Sequence, residues 1–184
     1  MGRFLVVIIV LAAVLGGAGM YYLQVYGYYD PVTLAGEVET PGTTRIRLTT
    51  IVGDTPETIP VKQFEGIDAY SSPLRFRACF TTGQSLAMLT ETYVSYEQPV
   101  PLIGPKWFDC YDAETIGADL ESGVAFAFLS EFNIVYGFDR VIAIYDDGRA
   151  FVWHQINRCG TEVFDGKPAP TGCPPPPERS NLDG

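Results

Sequence analysis

The chain has 184 residues, the length of one globular domain with an attached segment. Apolar residues make up 47% and charged residues 18%, which supports a packed core and excludes a solvated, disordered chain. Twelve basic against 22 acidic residues give a formal charge of −10, which repels phosphate backbones and sets nucleic acid aside as a partner.

The first predicted element is a transmembrane helix. Phe4 to Leu23 (FLVVIIVLAAVLGGAGMYYL) carries no charge, and at ~1.5 Å per residue it covers the ~30 Å hydrocarbon core of a bilayer. Arg3 and the α-amino group flank it in front, whereas the chain behind it opens with Asp30, Glu37 and Glu39 and reaches no cation before Arg45. By the positive-inside rule the amino end is cytoplasmic; in a bacterium the rest of the chain then lies in the periplasm, behind a single span with the lipid bilayer as a partner. Tyr21, Tyr22, Tyr26, Tyr28 and Tyr29 read as an interfacial aromatic belt, so residues 1–29 form the anchor. A cleaved signal ending near the small residues Gly17 and Gly19 is the alternative; the length of the apolar run and the belt favour retention. Ala12 with Gly16, and Ala13 with Gly17, are small-xxx-small pairs that let a second helix approach closely in lipid, or else the ordinary composition of a membrane helix.

Residues 30–43 carry Pro and Gly without an apolar pattern and read as a linker or extended arm. A domain over 44–173 follows, with a flexible Pro-rich tail at 174–184. RIRLTTIV at 45–52 alternates as a strand, Val61, Phe64 and Ile67 suggest a short helix over 61–69, and LRFRACF at 74–80 alternates strictly, with Arg75, Arg77 and Cys79 on one face. Thr81 and Gln84 stand at capping-box spacing before a helix over 83–94 whose stripe is Leu86, Leu89 and Tyr93. Pro99, Pro101 and Pro105 force a loop, after which Asp112 caps a helix with Ala113, Ile116 and Leu120 inward and Gly123 as its stop. VAFAFLS at 124–130 reads as a strand buried on both faces. RVIAIYDDGRAFVWHQI at 140–156 reads as a hairpin; a two-residue Asp147-Gly148 turn would set Ile144 against Phe151, Ile142 against Trp153 and Val141 against His154. The order of elements predicts an α+β domain with a mainly antiparallel sheet and two or three short helices behind an N-terminal membrane helix.

Cys79, Cys110, Cys159 and Cys173 are an even number without CxxC or zinc-knuckle spacing, which in an oxidising compartment means two disulfides. Three connectivities are open; the local one joins Cys79 to Cys110 and Cys159 to Cys173.

The stretches MYYLQVYGYYDPVT, SSPLRFRACFTTGQSLAMLTETY, WFDCYDAETIGADLESG and DRVIAIYDDGRAFVWHQIN together resemble an uncharacterised family of alphaproteobacterial membrane-anchored proteins of the Rhodobacter type, a domain of unknown function. The resemblance covers nearly the whole chain. It implies a bacterial inner-membrane setting and supplies no activity, cofactor or catalytic residue.

Site chemistry is sparse. His154 is the single histidine and lies on a predicted strand; there is no G-x-S-x-G element for it to serve and no Ser-x-x-Lys pair. Asp109, Asp112 and Glu114 lack the ligand spacing of a calcium loop and fit helix capping. No cofactor or metal motif stands out. Arg75 and Arg77 make either an anion-binding patch or ion pairs on an exposed face. Trp107, Phe108 and Tyr111 either pack on the Cys110 disulfide or form a docking surface. The expected function is therefore a non-catalytic periplasmic accessory or assembly factor that binds another membrane or envelope protein through a doubly apolar sheet or its helix. The alternative is a ligand-sensing or enzymatic domain with a pocket near Arg75, Arg77 and His154.

Overall fold

The computed structural model describes residues 2–36 and 40–177. The apolar run forms helix α1, Gly2–Tyr22, which ends in one wider π-helical turn, Leu23–Gly27. None of α1 is buried against the rest of the chain. Among the described residues nine strands follow: β1 (Asp30–Leu34), β2 (Thr43–Thr44), β3 (Arg47–Thr49), β4 (Pro56–Thr58), β5 (Lys62–Asp68), β6 (Arg77–Thr81), β7 (Ala125–Val135), β8 (Phe138–Tyr145) and β9 (Arg149–Ile156). Helices α2 (Leu86–Thr92) and α3 (Ala113–Ser122) lie between β6 and β7, and α4 (Arg158–Phe164) follows β9. Seven strands make one sheet in the order β2-β1-β5-β6-β9-β8-β7, antiparallel throughout except for β1 with β2, while β3 and β4 pair by themselves. The domain is α+β.

The sheet is apolar on both faces, and this chain covers both across the central strands; β7 lies at the edge and leaves Phe126 and Phe132 exposed, so the double burial expected of 124–130 holds only in part. One core gathers Phe76, Phe80, Ile142, Ile144 and Val152 under Leu89 of α2 and Ile46, Leu48 and Ile59. The other gathers Cys79, Val141, Ala143 and Trp153 under Ile116 of α3 and the aromatic residues Phe108 and Tyr111. Helix α3 forms as its sequence indicates: the Asp112 carboxylate accepts from the amides of Glu114 and Thr115, and Gly123 closes the helix in the left-handed region at φ 77°.

Several expectations are corrected. Part of the stretch read as a linker or extended arm is extended but regular, as strand β1, whose Pro31 and Val32 pair with Ile67 and Gly66 of β5. The helix expected over 61–69 is β5. Apolar residues three apart share a helix face, but they also point to opposite faces of a strand, and here Phe64 joins the first core while Ile67 joins the second. The strand expected from Leu74 begins at Arg77, because Pro73–Arg75 make a 3₁₀ turn capped by the Ser72 hydroxyl. Helix α2 is shorter than expected and is capped by Ser85, whose hydroxyl accepts from the Met88 amide; Thr81 closes β6 instead.

The β8–β9 hairpin has a three-residue loop. Ile144 pairs with Ala150, Ile142 with Val152, Val141 with Trp153 and Arg140 with His154, a slip of one from the expected register. The Gly148 amide donates to the Tyr145 carbonyl at 3.0 Å, and Gly148, at φ 85°, supplies the left-handed residue of a three-residue hairpin loop. The slip puts His154 and Trp153 on opposite faces from those a two-residue turn would pair them with.

The disulfides take the local connectivity, Cys79 to Cys110 and Cys159 to Cys173, and no cysteine is free. Residues 37–39 of the expected linker and 178–184 of the expected tail lie outside the described residues.

Candidate functional site

The residues singled out in the sequence fall into two places separated by the sheet. Arg75, Arg77 and Trp107 meet where α1 joins the domain, and His154 lies on the far face.

At the junction, a helix end leaves its last carbonyls without intrahelical partners. Trp107 meets one of them: its indole Nε1–H donates to the Val25 carbonyl at 2.6 Å. Its ring stacks against Tyr26 at a centroid separation of 6.0 Å and meets Tyr29 edge-on at 5.8 Å, so these tyrosines form the docking face between α1 and the domain. Arg75 lies over the Tyr29 ring at 5.5 Å. Arg77, 3% exposed, is fully engaged: its guanidinium donates to the carbonyls of Leu102 (2.8 Å), Leu74 (2.8 Å), Phe76 (2.6 Å) and Ile103 (3.1 Å). Burial lowers its pKa from the ordinary value, opposed by the nearby Tyr111 and Tyr29 phenols and Asp68. Arg77 thus fastens the proline-rich loop to β6 beside the Cys79–Cys110 bridge, and Gln155 fastens the start of that loop by accepting from Val100 N–H and donating to the Gln98 carbonyl. Around this junction runs a cavity of about 650 Å³ whose walls include Tyr21, Tyr26, Arg75, Ile103, Lys106 and Trp107.

On the opposite face, His154 Nδ1–H donates to the Pro73 carbonyl at 2.7 Å and its Nε2 accepts from Arg140 Nε at 3.0 Å, which assigns the neutral Nδ1–H tautomer. The imidazole stacks on Phe76 at 4.7 Å, and the Arg140 guanidinium lies over the same ring at 4.6 Å. Burial first, and the Arg140 charge second, lower the His154 pKa to about 3. A ring that is neutral, enclosed and doubly bonded is a structural member of the core. Arg140 continues outward to the Thr44 hydroxyl (3.0 Å) and Glu131 (3.3 Å), and Glu131 also meets Arg47 at 3.0 Å. A second cavity, about 550 Å³, opens beside Phe76, Arg140 and Asp68.

Arg140 is the member of this network that the sequence reading missed. It stands at the start of a strand as an ordinary flanking charge, and only its shared parity with Ile142 and Ile144 hinted at burial. A third polar cluster was also not legible: Asp139 accepts from Asn157 Nδ2 (2.6 Å), the Asn133 amide (2.9 Å) and the Tyr96 hydroxyl (3.1 Å). Burial, and then the Asp139 charge, raise the Tyr96 pKa. Among the described residues, no three of His, Cys, Asp and Glu gather as a metal site.

A family profile described as a family of unknown function, DUF6446, matches residues 46–174. No curated protein and no solved structure matches the chain.

Proposed function

The chain belongs to the DUF6446 family, whose function is unknown, and from that premise we propose that it is a non-catalytic accessory protein, anchored by one span in a bacterial inner membrane of the Rhodobacter type, that holds its disulfide-bonded domain at the periplasmic surface and binds another membrane or envelope protein. The observation that carries this reading is the contrast at α1. The helix is long and apolar enough to cross a bilayer and shares no core with the domain, yet its end is fixed to the domain by the Trp107 hydrogen bond and the tyrosine stack. A helix destined for removal needs no such seat. Two disulfides fit an oxidising compartment.

Because the central strands are covered on both faces by the chain itself, we take the exposed anchor as the partner surface. Gly16 and Gly17 meet nothing within 4 Å, and with Ala12 and Ala13 they leave a shallow face for a second helix. Crosslinking in native membranes followed by purification in mild detergent should give a species larger than one chain, and Gly16→Leu with Gly17→Leu should abolish it while membrane retention persists. A wild-type chain that always runs at its single-chain mass overturns the partner; a cytosolic carboxyl-terminal reporter overturns the compartment.

A further inference from the structure

We propose that the cavity between the end of α1 and the domain binds the phosphate headgroup of an anionic phospholipid in the leaflet from which the anchor emerges. This rests on the reading of α1 as a retained span.

The first support is charge. Arg75, Arg77 and Lys106 line the cavity and, among the described residues, no carboxylate does, in a chain with 22 acidic residues and a formal charge of −10. Arg77 is engaged with four carbonyls. Arg75 and Lys106 make no ion pair with any described residue; Arg75 rests on the Tyr29 ring, which leaves its guanidinium donors to the cavity beside the Lys106 ammonium. A guanidinium fork with a neighbouring ammonium is the donor set that a phosphodiester takes. The net negative charge of the rest of the protein opposes an anionic surface everywhere else, and its reach in salt is only about 10 Å, so these two cations decide the local interaction.

The second support is position. Tyr21 and Tyr26, on the last turns of α1, form one wall, which places the cavity at the depth where hydrocarbon gives way to headgroups. The cavity is lined as well by Ile103, which is 86% exposed, by Lys106 and by Trp107. An apolar tip beside a cation and amphipathic rings is the composition of a surface that rests in the interface. A soluble phosphate would use the same donors, but it would leave Ile103 and the tyrosine wall without a role, whereas a lipid occupies all three.

The test uses the full-length chain in nanodiscs. Trp153 is fully buried, so bromine quenching of tryptophan emission reads Trp107. Two matched discs are compared: one with phosphatidylglycerol brominated on its acyl chains in plain phosphatidylcholine, the other with the bromine on the phosphatidylcholine at the same mole fraction. Enrichment of the anionic lipid should be roughly fivefold for each free cation, so the first disc should quench Trp107 more strongly. Arg75→Gln with Lys106→Gln should equalise the two discs, and Arg75→Lys should restore part of the difference. Equal quenching of the wild type, or a preference that survives the double substitution, overturns the site. A preference abolished by millimolar inorganic phosphate assigns the site to a soluble anion and overturns the lipid. Resistance to carbonate extraction is measured on the same samples: a wild type that is extracted overturns the anchor and this site together, whereas retention without a lipid preference overturns the site alone.

Discussion

His154 shows how burial turns the one histidine of this chain from a titrating group into a fixed hydrogen-bonding bridge. With its folded pKa lowered to about 3 from the ordinary 6.5, the unfolded chain binds the proton more readily, so this residue contributes stability that is full above pH 6.5 and is lost as the pH falls toward 3. Asp68 works in the other direction, since burial raises its pKa and favours the folded state when protonated. Subtracting the denaturation free energies of His154→Gln from those of the wild type across pH 4 to 8 isolates the histidine, and the difference should shrink on acidification. NMR of the imidazole should show no titration step between pH 5 and 8. Arg77 is the second such residue. Lysine supplies a single point of donation where the guanidinium serves four carbonyls, so Arg77→Lys should cost about 1–3 kcal/mol in chemical denaturation.

Helix α4 and the tail it carries depend on two local devices. Asn157 caps the helix through its side-chain oxygen on the Gly160 amide at 3.0 Å, and Gly160 lies so close to the Gly137 backbone of the β7–β8 turn that a β-carbon there would collide with the Gly137 carbonyl oxygen. Gly160→Ala should therefore destabilise the domain by about 1–3 kcal/mol, read from its denaturation midpoint. The Cys159–Cys173 bridge closes a separation of 14 residues. Cys159→Ala with Cys173→Ala should lower stability by about 3 kcal/mol and expose residues 165–172 to proteolysis, with the sheet intact by circular dichroism. Arg158, whose guanidinium donates to the Thr171 carbonyl at 3.0 Å, is the other tie on that segment.

At the scale of the whole molecule, the seven-stranded sheet is sandwiched by its own chain, and the apolar surface left to the surroundings is concentrated on α1. Full-length protein should stay with membranes after carbonate extraction and carry an amino terminus that starts at the initiating residues; a soluble mature form beginning near Met20 would remove the anchor. The apolar run, the cap and stop of α3 and the number of cysteines were legible because each is a property of neighbouring residues: hydrophobic length, an Asp before a stripe and a Gly after it, and an even count. The β8–β9 register, the strand at 62–68 and the separation of His154 from Arg75 were not, because they depend on which strands become neighbours. Composition and local patterning by themselves determined a charge-free helix long and apolar enough to cross a bilayer, an α+β domain and its disulfide chemistry. Only the tertiary structure decided that Arg77 and His154 are internal braces while Arg75 and Lys106 line the cavity beside α1, since the fate of a charged or polar side chain is set by the carbonyls and rings that distant segments bring to it.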